Sequence, residues 1–461
     1  MKKEAVLIFD IGKTNKKILL FDQDLKILHE EESIFEEIAD DDGFLGDDIE
    51  RLEHWILEAC SRFARDDRFI LRGINFTTYG ASLMYLDENG KHLTPIYNYL
   101  KPMPEGVVEA VYDMYGGEAE FCRQTASPAL GMLNSGFQAL WLKKLKPDIF
   151  TQVKSIVHLP QYLSYLLNGI ISSEHTSIGC HTGLWDFDDM SYHSWTKQLG
   201  NTLPEPESVE SIYPSTNPDF NGPVGIGIHD SSSSLVPYFM NSQEEFILVS
   251  TGTWCISMNP FNTDPLTSHE LKKDCLSFLS IRQKPVKSSR LFLGRIHDLN
   301  VNRLNSLFGK EESAYKTIEL DETLIRSLSA RNQGRRIFFH EGVPDDYIDL
   351  SVSKAHFRSY EEAYHLLLMD LVDLSKESID LIIPKNDHSK NIFISGGFSK
   401  NPLFLKLIAS HYPHKKVFTS EVANATSLGS ALVLWKGIHK LFDPHIDLGL
   451  QAIEGDPSLL G

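Results

Sequence analysis

The sequence predicts an α/β fold of two large domains, and three observations predict it. With 461 residues the chain exceeds what a single hydrophobic core organises and fits two. Hydrophobic residues make up 42% and charged residues 23%, the usual balance of a folded globular chain. The same local unit recurs in both halves: an apolar strand-like run followed by a short, polar, glycine-bearing turn. Its four instances are FDIGKTN, GIHDSSSS, VSTGTW and ISGGFSKN.

The elements follow in order. Ala5 to Phe9, Ile18 to Phe21 and Lys26 to His29 are apolar enough for strands, and Asp22-Gln23-Asp24 supplies a turn between the last two, so a hairpin is expected. The acidic stretch Asp40 to Gly46 reads as a loop before a helix over Asp48 to Arg65. Gly73 to Thr77 reads as a buried strand, and Pro102 to Gly117 is irregular with partial helical character. Helical spacing appears over Gln138 to Leu145 and Gln161 to Leu167. Pro204 to Pro223 carries four or more turn-forming residues and reads as loop. Phe246 to Ser250 and Cys255 to Met258 open a second strand-rich region. Ser359 with Glu362 has the capping-box spacing ahead of an amphipathic stripe from Ala363 to Leu374. A strand over Asn391 to Ser395 leads to Gly396-Gly397, then to Asn401 as N-cap with Pro402 at the first helical position. The expected division falls at residues 1–240 and 241–461, two copies of a similar unit without a readable sequence repeat.

The bulk charge bounds the partners. A net charge of −19 disfavours nucleic acid and anionic membrane surfaces. An anionic ligand on such a chain requires local lysines, backbone N–H groups or a cation. The five cysteines are scattered with no CxxC pair, which excludes a disulfide framework or zinc ribbon and points to a reducing cytoplasm. The opening MKKEAVLIFD ends its apolar run at Asp10, too short for a signal sequence, and no run reaches membrane-spanning length.

Each turn has a chemical reading and a plainer one. In FDIGKTN a strand delivers Asp10 at its end, Gly12 lets the chain reverse, and Thr14 and Asn15 offer donors. Such a hairpin wraps phosphate oxygens with backbone N–H groups, and its carboxylate holds Mg²⁺ through water. The plainer reading is a hairpin with an Asp turn. The Gly-Lys-Thr triplet is not a P-loop, because Leu7 stands where that motif needs glycine. In GIHDSSSS, Asp230 either accepts a proton from a substrate hydroxyl or caps a helix. The neighbouring His229 has no metal-ligand partner at helical spacing. In VSTGTW, Thr251, Gly252 and Thr253 form a second donor-rich turn, or an ordinary strand connection. In ISGGFSKN, Gly396 and Gly397 leave room for a flat ring, and Asn401 either bonds a base or ribose or caps its helix.

Taken together the four segments resemble the FGGY carbohydrate kinases, of the sugar kinase, heat-shock ATPase and actin superfamily, from Asp10 to Gly429. FDIGKTNKKILLFD is similar to the family's first phosphate motif, with Lys17 at a usual basic position. GIHDSSSSL is similar to the catalytic segment, VSTGTWCISM to the second phosphate motif and ISGGFSKNPLF to the adenosine motif. TTYGASLMYLDENG, LPQYLSYLLNG and EHTSIGCHTGLWD add further matches, and the TTYG and GTW segments look closest to the rhamnulokinase and fuculokinase branch. Three departures stand out: Lys13 where a small residue is usual, Ala81-Ser82 where that branch has Val-Asp, and YNYLKPMP without an aspartate-arginine pattern.

The resemblance implies two ribonuclease H-like (actin-like ATPase) domains, each a mixed sheet flanked by helices, around an interdomain cleft. It implies ATP and Mg²⁺ as cofactors and a small sugar, a ketose such as L-rhamnulose, L-fuculose or a pentulose, as acceptor. Asp230 becomes the general base and, with Asp10, the metal site. Gly12, Lys13, Thr14, Asn15, Lys17, Thr251, Gly252, Thr253, Gly396, Gly397 and Asn401 become nucleotide contacts. Tyr79, Gly80, Ser82, His229 and Asp230 become sugar contacts. Homodimers are common in the family. Two other classes share the fold: an ATPase acting on protein conformation, which needs an added binding module, and a silent sugar sensor, which loses Asp10 or Asp230.

Overall fold

The computed structural model describes residues 2–460. Ala5 to Phe9 are fully buried in strand β1 (Lys3–Ile11), which is why that run is continuously apolar. Strands β2 (Asn15–Asp22) and β3 (Ile27–Ile34) follow antiparallel, and the Asp22 carboxylate closes their turn by accepting the Lys26 N–H at 2.9 Å. The third strand runs five residues past the expected His29, paired along its length with β2. Helix α1 (Ile49–Ala64) begins at the N-cap Asp48, whose carboxylate accepts from the Arg51 N–H at 3.0 Å. Strand β4 (Phe69–Thr78) then lies parallel to β1. Helix α2 (Leu159–Asn168) packs with α1 on one face of this sheet.

The expected loop over 204–223 holds short paired strands, among them β5 (Ile212–Pro214), and runs into β6 (Pro223–Gly225). Proline sits at strand ends there, the positions where a missing N–H is tolerated. With β7 (Ile228–His229) beside β4, the first sheet has the order β5-β6-β4-β1-β2-β3. The irregular 102–117 stretch contains one short helix, Glu109–Met114.

Helix α3 (Asp230–Asn241) leads to the second sheet: β8 (Phe246–Thr251), β9 (Cys255–Asn259), β10 (Cys275–Leu279) and β11 (Pro285–Leu291). Helices α4 (Leu293–Phe308) and α5 (Tyr360–Asp380) cover its outer face, before β12 (Asn391–Gly396), α6 (Pro402–His411), β13 (Lys416–Thr419), α7 (Ala425–Ile438) and β14 (Gln451–Ile453). Ser359 caps α5 by accepting the Glu362 N–H at 3.1 Å, but the Glu362 carboxylate pairs with Arg331 at 2.8 Å, so the expected box is half formed. The order is β10-β11-β9-β8-β12-β13-β14.

The two sheets share one plan. In the first, β1 pairs antiparallel with β2 and parallel with β4, which is parallel to β6. In the second, β8 pairs antiparallel with β9 and parallel with β12, which is parallel to β13. The repeat absent from the sequence is present in the strand pairing. Among the described residues no helix is long and apolar enough to cross a membrane, and all five cysteines are buried and free.

Helices α3 and α7 lie between the sheets. Their Leu235, Val236, Leu432 and Trp435 share one buried cluster with Val6, Ile8 and Leu19 of the first sheet and Phe246, Leu248 and Met258 of the second. Pro237 within α3 has no N–H for the Ser233 carbonyl one turn earlier. Gly429 of α7 approaches that same carbonyl so closely that a Cβ there would lie 1.9 Å from its oxygen. Ser233 Oγ donates to the Thr426 carbonyl at 2.7 Å, and Asn75 Nδ2 of β4 to the Ser430 carbonyl at 3.1 Å. Gly429→Ala is therefore expected to push the helices apart and lower stability by about 1–3 kcal/mol, as overpacking does. Chemical denaturation measures it, and an unchanged midpoint would show the contact to be loose.

Candidate active site

The first turn stands at the end of β1. Gly12 N–H donates to the Asn15 carbonyl at 2.9 Å, and a Cβ on Gly12 would lie 2.9 Å from that oxygen, so the reversal needs glycine. Thr14 and Asn15 are exposed at its tip. Lys17 lies opposite Asp10 across the β1–β2 register, and its ammonium reaches Asn424 Oδ1 at 3.2 Å and Glu30 at 3.6 Å. Asp10 Oδ2 accepts the Ser427 hydroxyl at 2.5 Å. The start of α7 is thus tied to the first turn by two contacts.

Lys13, expected at the phosphates, has its ammonium paired with Glu37 at 2.7 Å and Asp47 at 2.6 Å. Asp47 also takes the buried Lys16 ammonium at 2.9 Å and the Tyr79 hydroxyl at 2.7 Å. Tyr79, expected at the sugar, is therefore 8% exposed with its hydroxyl committed to Asp47. Ser82 and His229 are buried as well.

Asp230 is the first residue of α3, where the helix dipole favours an anion. Its Oδ1 accepts the Ser231 N–H at 2.5 Å and the Ser231 hydroxyl at 3.2 Å, with His229 Nε2 at 3.3 Å. These contacts all use Oδ1 and leave Oδ2 open, and the side chain keeps 34% exposure. Burial pushes its carboxyl up to about 6, against the Ser231 hydrogen bonds that pull it down. Asp10 is also pushed up to about 6, by burial first; Ser427 opposes this, the charge of Asp230 adds to it and Lys17 opposes it. The two carboxylates therefore share one field.

Burial holds His229 down at about 4, so its ring is neutral. The Cys180 sulfur lies 3.0 Å from His229 Nε2, the same nitrogen that faces Asp230. A nucleophile–base–orienter relay needs both ring nitrogens in use, so this trio is not a cysteine nucleophile site. Burial also raises the Cys180 thiol far above its ordinary value. Gly80 packs on this ring: a Cβ would lie 2.9 Å from His229 Nε2.

The second turn joins β8 to β9. Gly252 N–H donates to the Trp254 carbonyl at 2.9 Å, and Gly252 and Thr253 are exposed. Thr251 does not offer its hydroxyl as expected. It donates to the Ser395 carbonyl at 2.5 Å and accepts the Phe398 N–H at 3.0 Å, clamping β8 to the Gly-Gly turn. Gly396 has φ +86°, and a Cβ there would lie 1.7 Å from the Thr251 carbonyl oxygen, so no other residue fits. At Gly397 the space around a Cβ is open. Asn401 caps α6 by accepting the Phe404 N–H at 3.0 Å and donates to the Tyr364 hydroxyl at 3.0 Å.

Two cavities flank the Gly-Gly turn. One, of about 500 Å³, is walled by Gly252, Thr253, Gly294, His297, Gly397 and Asn401. The other, of about 640 Å³, has Ser234, Ser250, Ser395, Lys400 and Thr426 in its wall beside apolar Leu248 and Val422. Gly397 and Lys400 belong to both. Thr426 borders the larger cavity, and the next residue, Ser427, holds Asp10. Residues 10, 230, 253 and 397 are thus brought to one region. Asp47, Ser250, Ser395, Lys400, Asn424 and Ser427 were missed by sequence reasoning, although Lys400 stands inside the ISGGFSKN turn. The one compact carboxylate trio among the described residues, Asp40-Asp41-Asp42, is bridged by Lys101 and Lys146, which leave it one net negative charge.

Known proteins resemble this chain along most of its length. The N-terminal domain model of the FGGY family of carbohydrate kinases matches residues 5–226, and the FGGY C-terminal domain model matches residues 243–330. A rhamnulokinase from Oceanobacillus iheyensis is 23% identical over 96% of this chain and 95% of its own. Among solved structures, a carbohydrate kinase from Novosphingobium aromaticivorans superposes with a TM-score of 0.78 at 22% identity, covering 97% of this chain and 96% of that one. A xylulose kinase from Lactobacillus acidophilus gives 0.76 at 14% identity, covering 99% and 95%. These likenesses establish the two-domain, actin-like ATPase fold and an ATP-using phosphotransferase with an alcohol acceptor. The chain belongs to the FGGY family of carbohydrate kinases.

Proposed function

We propose that the protein transfers the γ-phosphoryl group of ATP to a hydroxyl of a small ketose, with Asp230 as general base. The observation that carries this is Asp230 itself: a raised, partly exposed carboxylate at a helix start, beside Asp10 and one helical turn before Ser234 of the larger cavity. Residues 1–240 supply the base and the sugar side, and residues 241–461 supply the nucleotide side. The names of relatives, the Oceanobacillus rhamnulokinase and the Lactobacillus xylulose kinase, favour L-rhamnulose or a pentulose among the expected ketoses.

The roles follow from the geometry. The smaller cavity, open at Gly397, takes the base and ribose, and the serine-lined cavity with Lys400 and Thr426 takes the phosphates. Exposed Thr14, Asn15 and Thr253 offer donors from the two turns, and Lys17 adds a cation. Asp230 Oδ2 receives the proton of the sugar hydroxyl as that oxygen attacks, while Ser231 fixes Oδ1. Such catalysis is positioning and charge stabilisation. Two neighbouring carboxylates, each raised by burial, fit a hard divalent cation, so Asp10 with Asp230 would hold Mg²⁺. When bound, the ion neutralises charge on the phosphates. Free, buried thiols support a cytoplasmic setting.

Asp230→Ala is expected to lower kcat about 10²–10⁴-fold. A coupled ADP-release assay over a ketose panel measures this, and full turnover in the variant removes Asp230 from the role. A second expectation concerns the nucleotide-free protein. Asp230 titrates near 6 when folded against 3.8 ordinarily, so its charge costs stability as pH rises from about 4 through about 6, and costs nothing once both states are protonated. Asp230→Asn should therefore melt above wild type at pH 7.5, with the gap shrinking towards pH 4. Scanning calorimetry reads the difference, and a gap independent of pH contradicts the assignment.

A further inference from the structure

With Tyr79, Ser82 and His229 turned into the protein, other groups must face a sugar held at Asp230. Lys13 is 20% exposed and Glu37 39%, and their ion pair is fixed from beneath by Asp47, itself held by Lys16 and Tyr79. An ammonium has three donors. Lys13 gives one to Glu37 and one to Asp47 and keeps the third. Glu37 takes Lys13 on Oε1 and keeps Oε2. Tyr99 is half-buried, its ring 6.2 Å from that of Tyr79. Tyr79 adjoins Gly80, which packs on the His229 ring beside Asp230, so the Tyr99 ring stands near both the ion pair and the base; burial first raises its hydroxyl, and the charges of Lys13, Asp47, Asp230 and Glu37 also act on it.

We propose that Lys13, Glu37 and Tyr99 form the subsite that reads the acceptor's distal hydroxyls, and that the acceptor is an uncharged ketose and not a sugar acid. The proposal rests on the reading of Asp230 as base. A spare N–H, a spare carboxylate oxygen and a phenol give the mixed donors and acceptors that adjacent sugar hydroxyls require. The charges also balance: two lysines face Glu37 and Asp47. A substrate carboxylate would meet no unpaired cation there and would lie near Glu37, Asp47 and Asp230, a costly place for an unpaired anion. Arg290, whose charge reaches Cys180, is already paired with Asp274.

The test is steady-state kinetics of the full chain with L-rhamnulose, L-fuculose, D-xylulose, D-ribulose and D-gluconate. A ketose should exceed gluconate in kcat/KM by about 100-fold or more. Glu37→Gln and Tyr99→Phe should each raise KM for that ketose about tenfold, the worth of one such hydrogen bond, with KM for ATP within about twofold. Tyr99→Phe removes one hydroxyl and leaves the ring packed, so the test survives if a charge variant fails to fold. Turnover of gluconate in preference to every ketose overturns the proposal, as does turnover of none of the five. So does Lys13→Met raising KM for ATP while leaving that for the sugar unchanged, which returns Lys13 to the phosphates. Failure of the base assignment reads separately, as persistent turnover in Asp230→Ala whatever the KM values.

Discussion

The contact between α3 and α7 is the constraint on which the molecule rests. It puts the Gly429 backbone against the Ser233 carbonyl, at a point where Pro237 withholds the usual helical donor. Only a glycine opposite a carbonyl without its helical partner allows two helices so close. Because they are close, one buried layer serves both sheets, with Trp435 and Phe246 in the same cluster as Ile8. The first residue of α3 is Asp230, and the third of α7 is Ser427, which holds Asp10. Packing of the layer therefore fixes the acidic centre directly.

Charge in this centre is arranged by depth. Asp10 and Asp230 are raised, and their neighbour His229 is neutral, so the floor has little positive charge of its own. Lys13 and Lys16 are drawn off by Asp47, which their hydrogen bonds and that of Tyr79 hold below the ordinary carboxylate range despite burial. What is left for an anion on this acidic chain is Lys17, Lys400, the backbone of two glycine turns and a metal ion. In the reading proposed above, that division separates a phosphate side from a hydroxyl-reading side.

Much of this was legible because it is local. The Asp22 turn, the Asp48 cap and the Asn401-Pro402 helix start each depend on residues within a few positions. Gly396 was legible as a turn glycine, and its left-handed φ bears that out. Contacts between distant residues were not. Ser427 lies 417 positions from Asp10, and Lys13 lies 34 from Asp47. Helix α7 is buried around nearly its whole circumference from Ser427 to Trp435, so no polar face marks it as amphipathic. Thr251 misled for a physical reason: a hydroxyl in a phosphate-like turn reads as a ligand donor until the Ser395 carbonyl is seen to take it.

The buried thiols carry one further consequence. Cys60 lies in α1, Cys255 and Cys275 in the second sheet, and Cys122 and Cys180 outside both sheets, each enclosed and each kept protonated by its surroundings. Alkylating reagents attack thiolate that they can reach, so the closed chain resists them. Labelling then proceeds at the pace of local opening around each position. The chain carries five intrinsic clocks of its own breathing, one of them 3.0 Å from the His229 ring that faces Asp230.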